Sequence, residues 1–301
     1  MFLSFAMPAL LLAAPPAPFE FSDGDRVVWL GGTLVEREQR YGYWETALLL
    51  ANPGKKLTIR NLGWSGDTVH GEARGRFDFA NAEKCFRQIV EPTLALKPTV
   101  ILICYGTNES FEGPHGVVKF EKGLEKLLDA LKPANARIVL ISPTPFEKSP
   151  ALPDPTARNE SLGLYRDAMR RIATKRNLAF VDLMSRTTAY GFKPDIRLTE
   201  NGLHLTEAGY LLTAPLLLAE DPKNVGLWAD TVVLAEPLEK LRRAVIAKNE
   251  LFFHRWRPQN ETYLFGFRKH EQGQNAKEVA EFDPLVAKAE EEIDQLRKAL
   301  K

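Results

Sequence analysis

The chain has 301 residues and a net charge of +1, with 45% hydrophobic and 26% charged residues, which suits one sizeable α/β domain with an addition. The balanced charge shows no basic stripe and argues against a nucleic-acid partner. Two cysteines, Cys85 and Cys104, make no disulfide framework, and five scattered histidines add no metal-ligand spacing, so neither a metal nor a cofactor is expected.

Residues Met1 to Ala14 are apolar apart from Ser4, and small residues continue through Ala17. This is the pattern of a secretory signal with its cleavage region, although no Lys or Arg stands near Met1. Residues 1–17 are therefore expected to direct export, to the periplasm or the medium. The alternative is a disordered or membrane-tethered N-terminus. The run falls short of the ~20 residues that span a bilayer, and no later segment is apolar enough to cross one, so stable membrane insertion is not expected.

Val27-Val28-Trp29-Leu30 reads as a buried parallel strand, broken by Gly31-Gly32 and followed by the hydroxyl of Thr33. A helix is expected from Arg37 to Leu50, charged early and apolar late, stopped by Pro53-Gly54. Leu57 to Asn61 alternates as a second strand and runs into Leu62-Gly63-Trp64-Ser65-Gly66-Asp67-Thr68. Helix Ala82 to Leu96 precedes Thr99 to Cys104, a fully apolar run that reads as a central strand. Gly106-Thr107-Asn108-Glu109 follows it. The unit repeats as helix Val117 to Leu131, strand Arg137 to Ile141, helix Leu162 to Lys175 and strand Leu178 to Asp182. Strands alternating with helices predict a doubly wound parallel sheet of five strands.

From Leu198 the chain reads Leu198-Thr199-Glu200-Asn201-Gly202-Leu203-His204-Leu205, with Thr206 as the N-cap of a further helix. Beyond Pro222 the composition shifts to charge-laced helices, Leu234 to Lys248 and Pro284 to Leu300. Between them Arg255-Trp256-Arg257 is read as arginines stacked on Trp256 that tie the tail to the main domain, with Trp256 buried. The expected organisation is 1–17 signal, 18–220 α/β domain, and 221–301 helical extension packed on it.

Four segments, Gly31-Gly32-Thr33, Asn61 to Thr68, Gly106 to Glu109 and Asn201 to His204, fall at or near the carboxyl ends of strands. Their order of hydroxyl, glycine, asparagine and histidine resembles the four blocks of the SGNH (GDSL-type) hydrolases, over residues 25 to 215. The resemblance implies a three-layer α/β/α flavodoxin-like fold and an esterase or lipase activity. It places Thr33 at the nucleophile, the Gly66 N–H and the Asn108 amide at the oxyanion hole, His204 at the general base and Asn201 beside it. Such residues suit the chemistry: a glycine lets its N–H approach an oxyanion, and a histidine exchanges protons near neutral pH. The substrate implied is a small acyl ester or an acylated carbohydrate.

Two departures touch the triad. Gly31-Gly32-Thr33 stands where the family has Gly-Asp-Ser, and Asn201 stands where it has Asp. A threonine methyl crowds the attack, and an asparagine cannot stabilise an imidazolium; Glu200 or Glu207 are candidates to replace it. A non-catalytic protein that binds a ligand in the retained cleft is the second reading. Asp67 is read as the acceptor of a local Asx turn, Trp64 and Tyr105 as packing residues rather than substrate platforms, and Ser65 as a turn hydroxyl rather than the nucleophile.

Overall fold

The computed structural model describes residues 19–76, 78–150, 152–191, 196–218 and 236–300. The expected signal, residues 1–17, and the expected boundary at residue 220 lie outside these ranges.

Strand β1 (Arg26–Gly31) leads into helices α1 (Thr33–Tyr41) and α2 (Tyr43–Ala51). Strand β2 (Thr58–Asn61), helix α3 (Ala82–Ala95), strand β3 (Val100–Cys104) and helix α4 (Val117–Ala130) follow. Next come β4 (Arg137–Ile141), α5 (Thr156–Arg176), β5 (Ala179–Val181), α6 (Leu183–Tyr190) and α7 (Glu207–Thr213). The tail holds α8 (Glu236–Trp256), short turns α9 (Glu261–Leu264) and α10 (Lys269–Gln272), and α11 (Phe282–Ala299).

The five strands form one parallel sheet in the order β2-β1-β3-β4-β5, as the alternation of elements predicts. Side chains leave successive residues on opposite faces. Val27, Trp29, Leu102 and Val139 meet α2, α6 and α7 on one face, whereas Val28, Leu30, Ile101 and Leu140 meet α3, α4 and α5 on the other. Helices on both faces explain why β3 is apolar throughout. The fold is the three-layer α/β/α arrangement expected.

The helix expected from Arg37 to Leu50 is two helices. Gly42 separates them with φ +67°, a left-handed conformation that glycine adopts without a Cβ penalty. Both new ends are capped from a distance. Arg242 of α8 donates to the Tyr41 carbonyl at 2.7 Å, and Glu38 Oε1 accepts the N–H groups of Trp44 and Glu45 at 3.0 and 3.1 Å. Helix α5 starts at Thr156 rather than Leu162. The stretch Thr156 to Ser161 is polar, so apolar periodicity carries no signal for it.

The tail helices cover the β2 edge of the sheet. Lys248 of α8 is 1% exposed; its Nζ lies 2.7 Å from Glu45 and donates to the Ile59 carbonyl at 3.0 Å. Arg60 of β2 pairs with Glu290 of α11 and lies over the Phe252 ring, 5.1 Å from its centroid. Arg297 of α11 donates to the carbonyls of Leu49, Asn52 and Lys55 at 3.0, 2.7 and 3.0 Å, closing the end of α2. Helix α8 runs on past Lys248 to Trp256. Among the described residues no helix is long and apolar enough to cross a membrane.

Candidate active site

In an open α/β sheet, ligands bind beyond the carboxyl ends of the strands where the strand order reverses. Here that point lies between β1 and β3, since β1 connects to β2 on one side and pairs with β3 on the other. Thr33 is the first residue of α1, directly beyond β1, at the positive end of the helix dipole. Asn108 follows β3, and His204 comes from the loop before α7. Thr33, Asn108 and His204 line one pocket of about 30 Å³, together with Arg37, Thr144 and Leu203.

Gly66 donates its N–H to Thr33 Oγ1 at 2.9 Å. Its φ of +76° aims that N–H, and a residue with a Cβ would be strained there. Asn108 Nδ2 donates to the Asp67 carbonyl at 2.8 Å, which holds the amide beside the Gly66 turn. Among the described residues no hydrogen bond joins Thr33 to His204.

The turn that carries Gly66 is braced from beneath. Asp67 does not make the expected Asx turn. Its carboxylate accepts from Arg74 Nε at 2.6 Å and from the Tyr105 hydroxyl at 3.0 Å, and Arg74 also donates to the Leu62 carbonyl at 2.8 Å. Asp67 and Arg74 are both fully buried, and a carboxylate removed from water requires such a partner. Burial, reinforced by the charge of Asp67, lifts the Tyr105 hydroxyl well above its ordinary pKa. Tyr105 is thus part of the brace, as its packing role predicts. Glu109 adds to it: its carboxylate accepts the N–H groups of Val69 and Gly106, each at 2.9 Å, and burial pushes its pKa up to about 7.

A second brace comes from the tail. The Arg257 guanidinium stacks 3.3 Å from the centroid of the Trp64 ring, with Arg74 at 5.4 Å and Trp256 edge-on at 6.0 Å. Arg257 also pairs with Glu36 at 3.0 Å, and Glu36 accepts the Ser65 N–H. The tail is tied down as expected, but the stacked ring is Trp64 rather than Trp256. Trp256 itself is half-buried. Arg255 points elsewhere and pairs with Asp283 at 2.8 Å. The Ser65 N–H is held by Glu36, and Ser65 does not line the pocket.

On the histidine side, Glu147 organises the loop. It accepts the N–H groups of Leu198 and Thr199 at 3.0 and 2.7 Å, and the Thr199 hydroxyl. Asn201 Nδ2 lies 3.1 Å from His204 Nδ1. Glu200 Oε1 lies 3.7 Å from the same nitrogen and 3.0 Å from Arg37 Nη1. Burial and then the charge of Arg37 hold the His204 pKa below its ordinary value, with Glu200 acting in the opposite sense. Glu207 faces away, accepting from the Tyr43 hydroxyl at 3.0 Å. Among the described residues no group of three or more His, Cys, Asp or Glu side chains is placed to hold a metal ion.

All five residues singled out from the sequence therefore meet here: Thr33, Asn108 and His204 around the pocket, Gly66 on Thr33, and Asn201 on His204. Sequence reasoning missed Arg37, Glu36, Arg74 and Glu147, and it read Arg257 as a tie for the tail without its place against Trp64 and Glu36. A charged residue within an apolar, proline-rich stretch was the available signal for Glu147, which lies in Thr144-Pro145-Phe146-Glu147.

A family model described as GDSL-like lipase/acylhydrolase matches residues 24–212. No curated protein matches the chain in sequence. Among solved structures, an acetylxylan esterase from Geobacillus stearothermophilus is similar at a TM-score of 0.52 and 19% identity, over 71% of this chain and 100% of that one. Structures of that esterase include catalytic mutants in which a serine, an aspartate or a histidine is alanine. An α/β hydrolase from the metagenome of Lake Arreo, Spain, is similar at a TM-score of 0.49 and 22% identity, over 66% of this chain and 95% of that one. At these identities the structural likeness concerns the fold, whereas the family match spans all five strands of the sheet and all four loop blocks. The chain belongs to the GDSL-like lipase/acylhydrolase family, whose members are hydrolases acting on ester bonds.

Proposed function

We propose that the chain hydrolyses a small acyl ester, with acylated carbohydrate as the favoured substrate class. The observation that carries this is the Gly66 N–H on Thr33 Oγ1, at 2.9 Å, in the pocket shared with Asn108 and His204. In this reading the Thr33 oxygen attacks the acyl carbon while its proton passes to His204 Nε2. The Gly66 N–H and the Asn108 amide receive the charge that develops on the carbonyl oxygen. The proton then goes to the departing alkoxide, leaving an acyl-Thr33 ester, which water attacks with His204 again taking the proton. The acetylated substrate of the similar Geobacillus esterase supports an acetyl ester.

One observation favours the second reading, a cleft that binds without turnover: Asn201 presents an amide to His204 where an acid would serve catalysis. Labelling with a fluorophosphonate, with mass mapping of the adduct, separates the two. The hydrolase reading expects the adduct on Thr33. Thr33→Ala and His204→Ala should each abolish hydrolysis of an activated acetate ester, and the double variant should lose little more, since such residues act as a unit. Thr33→Ser, free of the methyl, should react faster. No adduct, and no turnover across a panel of acyl esters by wild type or Thr33→Ser, would overturn the hydrolase reading.

We further propose that residues 18–220 form the hydrolase domain, that residues 221–301 form its helical extension, and that residues 1–17 export the protein. N-terminal sequencing of the mature chain should then begin close to Pro15 or Pro18. Recovery of intact Met1 from a cytoplasmic fraction would remove the export claim.

A further inference from the structure

Two side chains compete for one nitrogen of His204. Asn201 Oδ1 accepts the N–H groups of Leu203 and His204 at 3.2 and 2.9 Å, which fixes the direction of its amide and turns its NH₂ toward the ring. That NH₂ lies 3.1 Å from Nδ1. A donor at Nδ1 demands a lone pair there, so the neutral ring carries its proton on Nε2. Such a ring cannot take a proton from a hydroxyl through Nε2. In a serine protease, the same exchange of Asp for Asn costs about 10⁴ in kcat by imposing the wrong tautomer. If His204 is to act as a base, some acceptor must draw the proton onto Nδ1.

Glu200 is placed for this. Its backbone N–H donates to the His204 carbonyl at 2.9 Å, so the two residues are held against each other. Its carboxylate is half-exposed, 3.7 Å from Nδ1 and paired with Arg37 at 3.0 Å. Arg37 from α1 and Glu200 are the charged groups that face the ring; Glu207 of α7 is occupied by Tyr43 and lies 3.4 Å from Arg242.

We propose that Glu200, rather than Asn201, is the positioning carboxylate of His204, and that Arg37 holds it off the ring at rest. A small rotation brings Glu200 onto Nδ1–H, orients the ring with Nε2 toward Thr33 and stabilises the imidazolium. This rests on the reading of His204 as the base.

The test compares wild type, Glu200→Gln, the double variant Glu200→Gln/Asn201→Asp, and Glu207→Gln. Steady-state kinetics use an activated acetate ester, and the His204 imidazole is titrated by ¹⁵N NMR. Glu200→Gln should lower kcat by on the order of 10²–10³ with KM within a few-fold. The double variant should recover much of the loss, because the introduced aspartate then supplies a carboxylate at Nδ1, while Glu207→Gln should resemble wild type. Removing the neighbouring anion should also lower the His204 pKa in Glu200→Gln. A Glu200→Gln protein within two-fold of wild type, or an unmoved His204 titration, overturns the assignment. If the wild type turns over no ester, the hydrolase reading fails on its own, and the titration still decides whether Glu200 governs the ring.

Discussion

Glu38 is 1% exposed, and its carboxyl is pushed up to about 8, first by burial and then by the charge of Glu45. The folded chain therefore favours the protonated form. Its stabilising contribution is complete below the ordinary carboxylate value of 4.5 and is lost as pH rises through about 8. Glu109, raised to about 7, acts in the same direction. At about 1.4 kcal/mol per pKa unit, the two shifts together bound the loss of the wild type across this window at about 8 kcal/mol. Glu38→Gln keeps an acceptor for the Trp44 and Glu45 N–H groups and removes one titration. Its thermal midpoint should vary less over the window and should match or exceed wild type at the alkaline end; a wild-type midpoint flat over that range would contradict the assignment. Thr33 and Asn108 were legible because each follows an apolar run and a glycine turn, and Gly66 and His204 because their blocks match the family motifs. The partners of those residues were not. Arg74 meets Asp67 across a turn without periodicity, and the direction of the Asn201 amide depends on backbone N–H groups that only the folded loop brings to it.

Between α1 and α2 the chain turns at Gly42, where an added Cβ would lie 3.1 Å from Ile246 Cγ1 of α8 in a left-handed backbone. Gly42→Ala should cost roughly 1–3 kcal/mol from strain and crowding together. A denaturant midpoint close to wild type would show that the turn has an unstrained alternative. This break was not legible in the sequence, because the charged-early, apolar-late pattern runs straight across Gly42. Strand β3 was legible for the opposite reason: all of Val100 to Cys104 is buried, and no competing pattern overlays it.

At the scale of the molecule, the family match ends at residue 212, yet α8 and α11 supply contacts the sheet depends on. Lys248, Glu45 and Asn249 form a buried cluster, with Asn249 donating to Glu45 at 3.0 Å. Lys248→Met leaves Glu45 as an unpaired buried charge and should destabilise by about 3–5 kcal/mol in chemical unfolding, and Lys248→Met/Glu45→Gln should recover part of that. A loss under ~1 kcal/mol in the single variant would mean that water reaches Glu45. The amphipathic pattern of the tail was visible in the sequence, but its docking on β2 was not, since Lys248, Glu290 and Arg297, which mark the contact, look like any other charged residues of a solvated helix. The brace on the Gly66 turn carries a consequence in time. Glu36 and Arg257 are 221 residues apart in the chain, so at ~5–20 residues per second a ribosome makes the second roughly 10–40 s after the first. Through that interval Trp64 lacks the Arg257 guanidinium and Glu36 lacks its counter-charge, so the turn that carries Gly66 stays unbraced on that side until the tail is made.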